Sequence, residues 1–486
     1  MKMKRLKKKK ASRLYSEKVR RRNLAGPVLG SFPSVLASNN TPRLPACRQA
    51  RRAAGIPFPS TPANISKKIW HLRFLKILFI LLLFFLPTQL GKHFFPPFSY
   101  LNGIRVDYLS PTLYLTDIIV FLLFIFNFKT VVNFFKDKRI LIGLGLLFIN
   151  VIFANNQPVA FYRLIKIVEF VVVFSLGQQL FKMIKEKILL IILFLIAGFH
   201  LTLAIFQLVF RHSIQGIFYF FGERFLSLST PGIAKATIQG IEFLRPYGTF
   251  SHPNSLAGFF LLLYFFVLTN KKFNKYLVLK YLVVFIFSCL VFLSFSKVAI
   301  LTFLILNTSF LILPAGRQAL NTKITCRICK IAQIIGPIIV SLIFPQATTD
   351  VLTIEKRIEL VKNSLNILLN NLLFGVGLGN YLIAQAKFSS RYLLFFNQPV
   401  HNIFFLYLAE TGLLAGGLTI VLIGKFIYKM VRVNPYLILV ILLTGLFDHY
   451  WLTLEQNFLL LALIYGSVSR SFLISKLRLR RDVKYS

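Results

Sequence analysis

Two segments hold the polar residues best placed to do chemistry, "RPYGTFSHPNSLAG" at 245–258 and "PVHNIFFLYLAETGLLAGG" at 399–417. His401 stands at the mouth of an apolar run, where an imidazole with an ordinary pKa near 6.5 suits proton transfer. Asn402 is placed to cap the helix that follows. Glu410 lies about 12 Å deeper at 1.5 Å per residue, where a carboxylate needs a partner or a proton. It either orients a reacting group or locks two helices together. Gly412 and Gly416 form a G-x-x-x-G, which predicts close helix contact. In the other segment Pro246, Gly248 and Pro253 set turns around Arg245 and His252, and Asn254-Ser255 are placed to cap the next helix. Lys297 in "SFSK" and Arg357 in "EKRIE" add two cations. Arg163, Lys166 and Glu169 in "FYRLIKIVEF" share one helical face. Arg163 either extends the cationic set or snorkels while Lys166 and Glu169 satisfy each other. Several fixed cations with one imidazole are the equipment for displacing a diphosphate, because guanidinium binds phosphate in a bidentate fork and stabilises charge on a leaving group. There is no P-loop, H-E-x-x-H or outer carboxylate cluster, so the positive charge is expected from side chains, with no metal and no cofactor.

The elements that carry these residues are set by composition. The chain has 486 residues, 56% of them hydrophobic, and a mean hydropathy of +0.69. Soluble proteins stay near 45–50% apolar, so a polytopic membrane protein is expected. The formal charge of +43 does not point to nucleic acid. The basic residues sit mainly in the first 76 positions and in short connections between apolar runs, as membrane orientation requires. Scanning for runs near the roughly 20 residues a bilayer demands gives about twelve spans. They lie near 74–91, 112–128, 140–156, 160–181, 187–209, 254–269, 277–294, 298–313, 329–345, 402–428, 434–448 and 454–473. With residues 1–68 read as a basic, disordered cytoplasmic tail, the connections at 129–139, 182–187, 270–275, 315–330 and 425–432 and the tail 476–486 all become cytoplasmic, and all are basic. Both termini are then cytoplasmic, the first run stays as an anchor rather than a cleaved signal, and 69–475 is the transmembrane domain.

The same alternation puts the long loops 210–253 and 346–401 outside the cell membrane and brings Arg245, His252, Lys297, Arg357 and His401 to one surface. Ile354, Ile358, Val361, Leu365 and Leu368 recur at helical spacing and predict an amphipathic helix in the second loop. The expected fold is all-α, a transmembrane bundle with a partly helical extracytoplasmic cap. Cys326 and Cys329 form a C-x-x-C that lacks the further ligands a structural zinc needs. "LPACRQA" at 44–50 recurs as "LPAGRQA" at 313–319, and two distant copies do not make a solenoid.

In sequence the chain resembles the O-antigen ligase and polymerase-like integral membrane proteins. The resemblance rests on "RPYGTFSHPNSLAG" (245–258), "SFSKVAI" (294–300), "EKRIELVKNSLNILLNNLLFGVGLGNY" (355–381) and "HNIFFLYLAETGLLAG" (401–416), in that order across the second half. It implies transfer of a glycan from undecaprenyl diphosphate to an acceptor hydroxyl at the outer face of the cytoplasmic (inner) membrane, without a metal. His401 would be the base that activates the acceptor, and Arg245 and Arg357 would hold the diphosphate. Lys297 stands where the family commonly has arginine, which keeps the charge and loses the planar fork. The implied partners are a lipid-linked glycan donor, a lipid or glycan acceptor and membrane lipids. Ligase and polymerase differ only in the acceptor, and a flippase or secondary transporter also fits buried charges on many spans.

Overall fold

The computed structural model describes residues 62–238, 240–312, 351–388 and 397–468. The cysteine pair, both LPA-x-RQA copies, the run 329–345 and the tail 476–486 lie outside them. The chain divides into two units, Met1–Ile65 and Ser66–Ser486, and the packing below belongs to the second. The helices are α1 (Pro62–Phe85), α2 (Leu115–Phe126), α3 (Phe128–Phe135), α4 (Lys138–Ile152), α5 (Gln157–Leu180), α6 (Glu186–Phe210), α7 (Pro253–Thr269), α8 (Leu277–Leu293), α9 (Lys297–Ile312), α10 (Val351–Asn370), α11 (Tyr381–Gln385), α12 (Ile403–Val433), α13 (Pro435–Gly445) and α14 (Tyr450–Thr453). A further helix, α15, occupies 455–468. The helix α1 starts at Pro62, ahead of the tail boundary expected at 68.

Among the described residues, three helical stretches are long and apolar enough to cross a membrane: Glu186–Phe210, Lys271–Leu293 and Ile403–Val433. A fourth is gained if α2 and α3, which meet at 92°, count as one broken span. The helix α5 has the length, at 24 residues, but carries Arg163, Lys166 and Glu169 inside it. Helices α7 and α13 and the stretch Lys297–Phe310 are apolar and shorter. Every described run expected from hydropathy is a helix, although several fall below the length of an independent span.

The helix α7 sits at the centre. Its sequence "PNSLAGFFLLLYFFVLT" is apolar on every side, as a helix wrapped by others must be, and Ser255 through Leu268 are all buried. Around it α6, α8, α9, α13 and α15 contribute Leu193, Phe287, Phe303, Leu437 and Leu463 to one continuous core. The outer faces are apolar too, with Val421 74% and Phe121 60% exposed, which suits contact with lipid rather than water.

Among the described residues, three two-stranded antiparallel ribbons depart from the all-α expectation: Gly91–His93 with Thr112–Tyr114, Tyr100–Leu101 with Ile104–Arg105, and Lys235–Ile238 with Ile241–Leu244. All lie in connections between helices. A second, smaller core joins the start of α12 to α10 and α11 through Leu360, Ile367, Tyr381, Val400 and Leu406. The helix α10 is the expected one, but its inward residues are Leu360, Ser364 and Ile367, whereas Ile354 and Ile358 are each 51% exposed. Helical spacing identifies the helix and not the face that turns inward when both sides are partly apolar.

The helix α12 is broken. Gly412 has φ 68° and ψ 179° in the middle of an otherwise helical run. Across the break the backbone bonds leave the helix: Val376 and Gly377 donate to the carbonyls of Ala409 and Glu410 at 3.0 and 2.9 Å, and Leu413 and Leu414 donate to Leu372 and Leu373 at 2.7 and 3.0 Å. The Gly-rich segment 372–379 therefore fills the gap. A methyl group on Gly412 would overlap the Leu373 carbonyl, and one on Gly375 would overlap the Glu410 backbone. This replaces the G-x-x-x-G reading. Gly412 serves a backbone conformation closed to other residues and a crossing of two main chains, while Gly416 packs on Thr411 and Tyr407 of its own helix.

Candidate active site

Three of the expected site residues, Asn254, His252 and His401, come together at a group not foreseen from sequence, the carboxylate of Asp448 in the turn between α13 and α14. It is 7% exposed. Asp448 Oδ2 accepts from Asn254 Nδ2 at 2.8 Å, and Oδ1 accepts from the His449 backbone at 2.8 Å. His401 Nδ1 lies 3.8 Å from Asp448 Oδ1, an ion-pair separation rather than a hydrogen bond. The rings of His401 and His449 are 5.3 Å apart, and His449 Nδ1 meets Thr453 Oγ1 at 2.8 Å.

Asn254 ties this group to Arg245. Arg245 Nη2 donates to Asn254 Oδ1 at 2.7 Å and Nε donates to the Ser294 carbonyl at 2.9 Å. Two of its donor atoms are thus committed inside the protein. The helix α7 is capped not by Asn254-Ser255 but by His252, whose Nδ1 accepts from the Asn254 backbone at 3.1 Å. Pro253 at the first turn needs no hydrogen-bond partner for its nitrogen. The Asn254 side chain is freed by that arrangement to bridge Arg245 and Asp448.

Electrostatics follow from burial and crowding. Burial pushes the Arg245 guanidinium down to about 10, with Tyr247 and Asp448 opposing, so it remains charged at neutral pH. Burial first, and the Arg245 charge second, push His252 down to about 3. Burial likewise pushes His449 down to about 3 against the pull of Asp448. Burial works against ionised Asp448, but His401 and the neighbouring imidazoles outweigh it and hold the carboxyl well below the usual range.

Arg357, on α10, is close enough for its charge to act on both Arg245 and His449. Its Nε is buried and has no hydrogen-bond partner among the described residues. Lys297 opens α9 next to Arg245 and is exposed. Arg163 donates through Nη2 to the Leu452 carbonyl at the end of the α14 segment, near both His449 and Glu410. Asn402 caps α12, its Oδ1 accepting from Phe404 and Phe405 at 2.9 and 3.1 Å, a contact typically worth about 1 kcal/mol. The Glu410 carboxyl accepts from the backbone N–H groups of Gly379 and Tyr381, so it locks the Gly-rich segment onto α12 rather than reaching His401. Lys166 does pair with Glu169, and also with Asp117 and Glu455.

Asp448 and His449 were missed because the run 434–448 reads as one apolar stretch. The signal was present in "FDHYW": the alternation that sets His401 at the outer surface also sets 449–453 there. His401, Asp448 and His449 offer ligand atoms within 4.8 Å of one another, a group that can hold a metal ion and was not anticipated.

Helices able to cross a bilayer, ending at a cluster of cations and imidazoles, define a helical integral membrane protein with a built polar site. Residues 247–420 match the model of the family described as O-antigen ligase, so the chain is similar to that family over this segment. The match includes Lys297, Arg357 and His401, begins two residues after Arg245 and ends before Asp448. No curated protein matches the chain.

Proposed function

We propose that the protein is a glycan transferase of the cytoplasmic membrane, moving a glycan from undecaprenyl diphosphate to an acceptor hydroxyl on the extracytoplasmic face. The acceptor oxygen attacks the sugar carbon that bears the diphosphate, the carbon–oxygen bond to the diphosphate breaks, and one displacement inverts that centre. His401 takes the hydroxyl proton through Nε2 while Asp448 faces Nδ1 and steadies the imidazolium that forms. Arg357 is the principal diphosphate ligand, with charge from Lys297 and Arg163 beside it. Arg245 acts mainly as the strut that holds Asn254 and Asp448. These cations supply the charge a metal would otherwise bring. The reading carries with it the topology of about twelve crossings, with long loops outside and both ends in the cytoplasm.

The observation that carries this reading is the meeting of His401, Asp448, Asn254 and Arg245, drawn from three separate parts of the chain, with Arg357, whose Nε has no partner among the described residues, close enough for its charge to act on Arg245 and His449. A transfer assay with lipid-linked donor tests it. His401→Ala and Arg357→Ala should each lower the rate by about 10²-fold or more while membrane insertion stays normal, and chelation by EDTA should leave the wild-type rate unchanged. Full transfer by either variant overturns the assignment, and loss of activity in EDTA would assign a metal to His401, Asp448 and His449. Chain length against attachment in the product separates polymerase from ligase.

A further inference from the structure

The 92° bend between α2 and α3 opens a crevice of about 740 Å³ against the face of α5. That volume lies within the roughly 300–1,000 Å³ of small-molecule sites. Phe121, Phe124 and Phe135 form one wall and Ile165 and Val172 another, while Asp117 and Glu169 face the space from its polar end. From Tyr162 to Val172 the α5 wall runs about 15 Å at 1.5 Å per residue, room for a chain of about a dozen carbons.

The polar end is short of positive charge. Lys166 Nζ is directed at Asp117 Oδ2, Glu169 Oε2 and Glu455 Oε1, at 2.7, 3.1 and 3.3 Å. Three carboxyl groups therefore crowd one ammonium, which donates a hydrogen bond to Glu169 Oε2. Asp117 Oδ1, Glu169 Oε1 and Glu455 Oε1 are buried without a hydrogen-bond partner among the described residues. The Glu169 side chain is only 10% exposed. Buried acceptors of this kind call for a donor, and a cluster with three carboxyl groups to one ammonium favours one that is positively charged.

We propose that this crevice binds an amphiphile with a primary ammonium head. The head donates to Asp117 Oδ1 and Glu169 Oε1, and the chain lies along Phe121, Phe124 and Ile165. An anionic head would meet three carboxyl groups, and a neutral hydroxyl would satisfy an acceptor without balancing the charge. The site is separate from the His401 cluster, and this inference stands whether or not the protein transfers glycans.

The test uses the purified full-length protein in a non-ionic detergent, with dodecylamine, dodecanol and dodecyl sulfate as probes and bound ligand counted by native mass spectrometry. Dodecylamine should bind at least about tenfold more tightly than either other probe, which is what one added charge-assisted contact gives. Glu169→Gln should remove that preference. Ile165→Trp, which narrows the crevice and leaves the charged groups alone, should weaken dodecylamine by a similar factor. Equal binding of dodecylamine and dodecanol, tighter binding of dodecyl sulfate, or wild-type binding by Ile165→Trp would overturn the proposal, the last even where Glu169→Gln fails to fold.

Discussion

Asp448 takes hydrogen bonds from Asn254 and from the His449 backbone while it faces His401, so a change there reaches a strut, a turn and an imidazole together. Asp448→Asn keeps the shape and removes the charge. We expect kcat to fall by about 10²-fold or more with little change in KM, because the lost term is stabilisation of the imidazolium formed during the reaction. An unchanged kcat, or a rise in KM as large as the fall in kcat, would reduce Asp448 to a structural role. Part of this candidate site was legible in the residues themselves: His401 and Lys297 stand at the edges of apolar runs, and Arg245 and Arg357 stand in the two long loops between them. Asp448 and His449 were hidden because two polar residues at the end of a hydrophobic stretch barely alter its average. The choice of His252 over Asn254 as the cap was not legible either, since it depends on a partner nearly two hundred residues away.

At the scale of elements the break in α12 matters most. Its left-handed Gly412 and the main chain that crosses it admit no side chain. Gly412→Ala should cost at least about 1–3 kcal/mol from the backbone conformation alone, with further loss from overlap, and should lower both the unfolding temperature and the transfer rate. Gly417→Ala, where an added methyl meets nothing, should be neutral or slightly stabilising. Equal behaviour of the two variants would mean that the break is dispensable. Hydropathy recovered the helix and not the break, because an apolar run looks the same whether its backbone is continuous or interrupted. Apolar spacing predicted α10 as a helix and did not show which of its faces turns inward. In a chain bounded by lipid, apolarity no longer separates inside from outside, and only the small or polar inward residues Ser364 and Asn363 hinted at the true orientation.

At the scale of the whole molecule, the buried imidazoles make stability depend on acidity. His449 and His252 are pushed down to about 3 when folded, against about 6.5 in an unfolded chain. Above 6.5 neither state takes up a proton and the two histidines add no pH dependence. Below it the unfolded chain binds protons that the folded one refuses, so stability falls with pH down to the folded value. For His449 the loss at pH 5 is roughly 2 kcal/mol. The advantage of His449→Gln over the wild type in unfolding temperature in detergent should therefore grow on going from pH 7 to 5; a difference between the two proteins that does not change with pH would contradict this account. The broken helix has one more consequence at this scale. The short stub that bears His401 ends in carbonyls held by Val376 and Gly377 and a carboxyl held by Gly379 and Tyr381, on the stretch that leads directly from the helix of Arg357. His401 and Arg357 are thereby mounted on one bracket, which also holds the first residues of the long shaft 413–433 through Leu413 and Leu414. A tilt of that shaft in bilayers of different thickness would then carry the bracket as a unit and leave the spacing of His401 and Arg357 as it was.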